Sequence, residues 1–148
     1  MIRFVDYKED FLEKSWLWLN DAEIKYLTNT PNFSKEEQKK WYESLKSRKD
    51  YIIYGITFNN KLIGACGLKN ITHIDAEYWG YIGEKKYWGM GFGIAILDEM
   101  IHKAKGLRLV KLWLKVIKDN ERAIGLYKKK NFAIKKEFGN EYIMELIL

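Results

Sequence analysis

Several residue types are scarce in this chain, and each scarcity excludes something. Of the 148 residues, one is cysteine, one is proline and two are histidine. A single cysteine, Cys66, excludes an internal disulfide and fits a reducing compartment. No cluster of His, Cys and carboxylates has metal-ligand spacing, so no metal is expected. No apolar run approaches the roughly 20 residues that cross a bilayer. The opening MIRFVDYKEDF lacks the apolar core of a signal peptide. The expectation is a cytoplasmic protein with no membrane partner. Repeats, linkers and low-complexity segments are also missing, so residues 1–148 read as a single domain near the commonest size.

What is present allows a sizeable packed core and gives the chain a basic balance. Hydrophobic residues make up 47% of the chain and aromatics 16%. The formal net charge is +6, from 26 Lys and Arg against 20 Asp and Glu. Such a balance suits an anionic partner such as a nucleotide. The lysines are spread over the whole chain, without a basic stripe or a nucleic-acid motif, so nucleic acid is not the expected partner.

Periodicity and turn residues order the chain as β-α-α-β-β-β-α-β-α-β-β. Ile2 to Val5 reads as a strand and Lys8 to Asn20 as a helix, with a further turn or two over Asp21 to Leu27. After the loop holding Pro31, Ser34 and Glu37 fit a capping box that opens a helix running to about Lys46. Tyr51 to Phe58 and Lys61 to Leu68 are strands joined by Asn59-Asn60, two residues that tolerate positive φ in a tight hairpin. Ala76 to Ile82 is a third central strand, and Leu109 to Val116 a fourth. Asn120 to Lys130 is a helix closed by Asn131, where a left-handed residue is wanted. Phe132 to Phe138 and Glu141 to Leu148 form a last hairpin across Gly139-Asn140. The fold class is α/β (α+β): a mixed, mostly antiparallel sheet of about seven strands flanked by about four helices.

The most telling segment is YWGMGFGIAILDEMIHKA, residues 87 to 104. Gly89, Gly91 and Gly93 lie between the strand ending at Ile82 and a helical run from Ile94 to Ala104. Without Cβ atoms the backbone turns sharply and comes close to a ligand. The first N–H groups of the next helix have no partner inside it and favour negative charge. A pyrophosphate cradle is expected. A Walker loop requires Lys and then Ser or Thr after its last glycine, where Ile94 and Ala95 stand. A dinucleotide fingerprint requires an acidic residue at the end of the next strand, where Val116-Ile117-Lys118 stand.

The loop resembles the coenzyme A site of the GCN5-related N-acetyltransferase superfamily, whose signature is Gln or Arg, x-x-Gly-x-Gly or Ala. Gly91 and Gly93 match the small positions, and Trp88 departs at the Gln/Arg position. Tyr-Trp-Gly here is similar to the branch that acetylates ribosomal-protein N-termini, polyamines and amino sugars. KDNERAIGLYKKKNF, residues 118 to 132, looks like the family's Asn-x-x-Ala-x-x-Leu-Tyr-x-x-x-Gly-Phe motif. Asn120, Ala123, Leu126, Tyr127 and Phe132 match it, and Asn131 replaces the glycine. With the element order, the resemblance spans the whole chain.

The resemblance implies acetyl-CoA as donor and a small amine as acceptor. It makes Tyr127 the acid beside the sulfur. Trp88, Gly89, Met90, Gly91, Phe92, Gly93 and Ile94 would form the pyrophosphate loop, and Asn120 would serve as helix cap, coenzyme contact or both. Tyr81, Ile82 and Gly83 would lie along the pantetheine arm, with an Ile82 amide on the thioester carbonyl. Glu77, flanked by Ala76, Tyr78 and Trp79, is the candidate base, since apolar surroundings raise a carboxyl pKa. His73 reads as a solvated loop residue, and Cys66 as a buried small one.

The acceptor end is less defined. The first two helices and hairpin loops supply Trp16, Trp18, Asn20, Asp21, Glu23, Tyr26, Trp41 and Tyr42. WLNDAEIKYLTN resembles the opening helix of two subgroups, N-terminal-alanine acetyltransferases and nucleotide-aminosugar acetyltransferases. The chain is short for the first, and aromatics with a basic surface suit the second, so an amino sugar is the expected acceptor. The alternatives are a protein or peptide N-terminus, and a non-catalytic acyl-CoA-binding domain. Dimers are common among similar enzymes, which makes a homodimer a further expectation.

Overall fold

The computed structural model describes all 148 residues. Seven strands form one sheet: β1 (Ile2–Asp6), β2 (Ile52–Phe58), β3 (Lys61–Lys69), β4 (Asp75–Ile82), β5 (Lys111–Ile117), β6 (Ala133–Phe138) and β7 (Glu141–Ile147). Their spatial order is β1-β2-β3-β4-β5-β7-β6. Every pairing is antiparallel except β4 with β5. Five helices accompany them: α1 (Glu9–Asn20), α2 (Ala22–Leu27), α3 (Lys35–Ser44), α4 (Phe92–Gly106) and α5 (Glu121–Lys129). No helix is long and apolar enough to cross a membrane.

Local chemistry explains most element ends. Ser34 and Glu37 form the reciprocal capping box at α3, with the Ser34 Oγ accepting from the Glu37 N–H at 3.0 Å and Glu37 Oε1 accepting from the Ser34 N–H at 2.9 Å. Asp21 caps α2 by accepting from the Glu23 and Ile24 amides. Asn59 and Asn60 turn the β2–β3 hairpin with φ of 50° and 65°, and Asn131 ends α5 with φ 72°.

Of the boundaries that differ from the sequence reading, two starts move by two residues. Helix α4 starts at Phe92 rather than Ile94, because left-handed Gly91 is its N-cap and Gly93 is already in its first turn. Strand β5 starts at Lys111 rather than Leu109. Arg108 takes the left-handed conformation (φ 61°) and the Leu109 N–H returns to the Ala104 carbonyl, so 107–109 close the helix as a C-cap.

The parallel contact of β4 with β5 positions the site. It runs only through Asp75, Ala76 and Glu77 against Lys111, Leu112 and Trp113. From Tyr78 onward β4 keeps β3 on one side and faces a gap on the other. The larger core lies between the sheet and α4, built on Ile96, Leu97, Met100 and Ala104 against Leu68, Leu112, Leu114 and Met144, with α5 at its border. A smaller cluster of Phe11, Trp18 and Ile24 seats α1 and α2 on the opposite face, against Val5, Tyr7 and Tyr81.

Candidate active site

The gap between β4 and β5 opens into a cleft of about 1170 Å³ whose walls come from both faces of the sheet. At one end stand Gly89, Gly91, Phe92, Gly93 and Ile94, with Asn120 and Tyr127 of the β5–α5 region opposite. Gly89 and Gly91 are left-handed, with φ of 79° and 82°. A Cβ built on either would project into open space, so a ligand approaches bare backbone there. Helix α4 has no side-chain cap and no acid in its first turn. Its leading N–H groups therefore keep their full positive character, as a pyrophosphate needs. Arg122, on the first turn of α5, adds a cation to this wall.

Trp88 ties this loop to the sheet. Its indole Nε1–H donates to the Ile82 carbonyl at 2.9 Å, where the sequence pattern of similar loops has Gln or Arg. Asn120 caps α5 by accepting from the Ala123 N–H at 3.3 Å through Oδ1, and it also lines the cleft. The cap leaves the Asn120 amide NH₂ to face a ligand.

Strand register decides which backbone groups meet the gap. Gly64 pairs with Ile82, and the Gly83 N–H donates to the Ile63 carbonyl at 2.7 Å. In an antiparallel ladder this makes Gly64–Ile82 a pair whose own N–H and C=O groups point away from each other. Ile82 and, two residues earlier, Gly80 therefore turn their backbone groups toward the gap. Tyr81 does not: its backbone is used in the ladder with Ala65. This corrects the expectation that Tyr81 lies along the donor arm by backbone pairing. Gly83 is corrected too, since it lies outside the cleft and a Cβ there would run into the Trp18 ring. The Met90 side chain is exposed and forms no wall.

Side chains on β4 alternate between faces. Tyr78 points toward α4 and α5, where its ring meets Tyr127 edge-on with centroids 6.3 Å apart. Burial pushes the Tyr127 hydroxyl up to about 12, so it stays protonated at neutral pH. Glu77, Trp79 and Tyr81 point the other way, toward α1 and α3. Glu77 is 5% exposed, but its company is not the apolar one expected. The Asn70 amide donates to Oε1 at 3.0 Å, and the Lys69 ammonium stands 3.9 Å from Oε2.

Beyond Glu77 the cleft is walled by an arc of rings: Tyr7, Trp41, Tyr51, Trp79 and Tyr81, with successive centroids 5.8 to 6.3 Å apart. Ser15 of α1 lies within the arc, joined to the hydroxyls of Tyr7 and Tyr81.

Comparison with known proteins agrees with this geometry. The sequence profile described as the acetyltransferase (GNAT) family matches residues 14–132. The chain belongs to that family. The acetyltransferase PseH of Campylobacter jejuni (strain 81-176) is 25% identical over 138 residues, covering 90% of this chain and 84% of PseH. The crystal structure of C. jejuni PseH with acetyl coenzyme A superposes with a TM-score of 0.77 at 20% identity, covering 99% of both chains. That of Vibrio cholerae spermidine N-acetyltransferase with CoA and spermine gives 0.88 at 20% identity, covering 99% of this chain and 95% of that one.

This GNAT enzyme is an acetyl-CoA-dependent N-acetyltransferase. Its donor loop, Ile82, Asn120, Tyr127 and Glu77 converge on the cleft. His73 is exposed in the β3–β4 turn, outside the cleft. Cys66 is fully buried, and burial pushes its thiol far above the ordinary range, which leaves no thiolate for attack. Of the residues named for the acceptor end, only Glu23 and Trp41 line the cleft. Trp18 is core and donates to Glu84 at 2.5 Å. Trp16 packs on Phe33, Asn20 binds the Trp16 carbonyl, and Asp21 caps α2. Tyr26 donates to Asp119, and Tyr42 packs beside Tyr7. The sequence reading missed Tyr7, Ser15, Tyr51, Trp79 and Asn70. Only Trp79 carried a signal, its two-residue spacing from Glu77 and Tyr81 along one strand.

Proposed function

We propose that the enzyme moves the acetyl group of acetyl-CoA directly to the primary amine of an amino sugar or nucleotide-linked amino sugar. Acetyl-CoA supplies an activated acetyl group as a thioester; the protein positions it and manages protons. The N–H groups of the Gly89–Ile94 loop and the start of α4 hold the pyrophosphate. The Ile82 N–H, aimed into the gap, polarises the acetyl carbonyl. Tyr127 reaches the sulfur from the α5 face, and the amine arrives from the α1 face beside Glu77. The nucleophile and the leaving group are thus served from opposite faces of the sheet. No protein nucleophile is needed, which supports direct transfer.

Proton placement follows from magnitudes. An amine of pKa about 10 is neutral roughly one part in a thousand at pH 7, costing about 4 kcal/mol. Glu77 is the carboxylate placed to take that proton. A Tyr127 hydroxyl at about 12 hands its proton to a thiolate of pKa about 8.5 only at a cost of roughly 5 kcal/mol. Tyr127 therefore acts by donating a hydrogen bond to the departing sulfur, with full transfer left to solvent.

One observation favours an amino sugar over a polyamine: the acids of the acceptor end are already engaged. Glu23 pairs with Lys85 at 3.0 Å, Glu37 caps α3, and Glu77 meets Asn70 and Lys69. A polycation would find these three carboxylates already bonded within the protein. The aromatic arc and its hydroxyls suit the C–H faces and oxygens of a sugar ring. The similarity to PseH supports the same reading. The test is thiol release from acetyl-CoA across amino sugars, nucleotide-linked amino sugars, polyamines and Ala- or Ser-starting peptides. Release with the sugars is expected; release confined to polyamines or peptides would overturn the acceptor assignment.

A further inference from the structure

The Tyr7–Ser15–Tyr81 cluster has a hydrogen-bond count that does not close. Ser15 is 2% exposed in the middle of α1, and its hydroxyl makes no bond to the helix backbone. Its Oγ lies 2.8 Å from the Tyr7 hydroxyl and accepts from the Tyr81 hydroxyl at 3.1 Å. These are the only hydrogen bonds the three side chains make within the protein. Each hydroxyl carries one O–H. Three O–H bonds therefore serve two hydrogen bonds, and one donor is left over. Because Tyr81 donates to Ser15, the spare O–H belongs to Ser15 or Tyr7. Burial pushes the Tyr7 hydroxyl up to about 12, so it stays a neutral donor. All three side chains line the cleft, on the face of β4 that carries Glu77.

We infer that this hydroxyl chain is a subsite for an oxygen of the acceptor, and that it selects amines bearing a hydroxyl at a fixed distance from the reacting nitrogen. This rests on the amino-sugar reading above and deepens it. An ammonium group offers only donors and leaves the spare O–H unmatched. A hydroxyl oxygen accepts from it and donates back to a free Tyr lone pair. A site built to bond a substrate hydroxyl rejects the analogue that lacks it far more strongly than an apolar pocket rejects a missing methylene, because its own polar group is then left unpaired.

The test uses an amino hexose that is turned over and its monodeoxy analogues, each lacking one hydroxyl, with thiol release as the readout. In the wild-type enzyme one analogue should lose about tenfold or more in kcat/KM. In the triple variant Tyr7→Phe/Ser15→Ala/Tyr81→Phe, which carries none of the three hydroxyls, the two acceptors should converge to within about twofold. A purely structural role would lower both acceptors equally and keep their ratio. That result overturns the inference, as does a wild-type enzyme indifferent to every deoxy analogue. If the triple variant melts early, the wild-type deoxy series decides alone: a loss confined to one analogue is expected, and indifference to all of them overturns the inference. Absence of release with every amino hexose, free or nucleotide-linked, would show itself before any variant is made, and would remove the amino-sugar reading and this subsite together.

Discussion

The two ends of the cleft are built from different materials. The donor end is mostly main chain: left-handed glycines, the uncapped start of α4, and the strand edge at Gly80 and Ile82. The acceptor end is mostly side chain: rings from β1–α1, α3, the approach to β2, and β4, with hydroxyls and a braced carboxylate between them. Main-chain amides bind any pyrophosphate alike, so the donor end suits a coenzyme common to many enzymes. Side chains are replaced one at a time, so the acceptor end is where one such enzyme differs from another.

That contrast can be broken by single substitutions. The largest effect belongs to Tyr127→Phe, which removes the hydroxyl proposed to bond the departing sulfur. Turnover should fall roughly 100- to 1000-fold, while coenzyme A affinity by calorimetry stays near the wild-type value. Equal loss of both would make Tyr127 a packing residue. Next comes Gly91→Val. A branched side chain in a left-handed position costs about 1–2 kcal/mol, and its Cβ enters the space above the loop. Coenzyme A affinity should drop about 100-fold, with the melting temperature down by only a few degrees.

Trp88→Phe keeps the ring and removes the bond to the Ile82 carbonyl. KM for acetyl-CoA should rise about five- to tenfold; no rise would mean that the loop is held in place without this bond. Smaller still is an alkaline effect shared by both ends. Tyr127 and Tyr7 are raised from 10.0 to about 12 in the fold. Between pH 10 and 12 the unfolded chain releases these protons and the folded one keeps them, so stability falls as pH rises through that window. The melting temperature should fall less steeply there in a Tyr7→Phe/Tyr127→Phe variant. The smallest effect is His73→Ala, which should change kcat/KM by less than about twofold, since His73 stands in an exposed turn outside the cleft.

The same contrast governs how much was legible beforehand. Glycine spacing, the Asn120 and Tyr127 pattern and the strand before them lie within one stretch of chain, so local rules picked out residues that the fold brings to one cleft. Those rules erred where register decides: Tyr81 and Ile82 are neighbours, yet only Ile82 turns its amide to the gap. Gly83 was expected along the pantetheine arm and instead makes room for Trp18. The acceptor end depends on residues as distant as Tyr7, Trp41 and Tyr81, whose meeting is fixed by tertiary packing. The engaged state of Glu77 depends on Asn70, which bends with φ 53° in the β3–β4 turn. Nothing in the local sequence distinguishes Asn70 from any other turn asparagine.

The central claim is that a donor site of common construction feeds an acceptor site suited to hydroxylated amines. The most direct test is a competition in one vessel, with acetyl-CoA limiting and an amino sugar and spermidine at equal concentration, read by mass spectrometry. The account predicts that the acetylated amino sugar dominates by at least about tenfold. Dominance of acetylspermidine would contradict it.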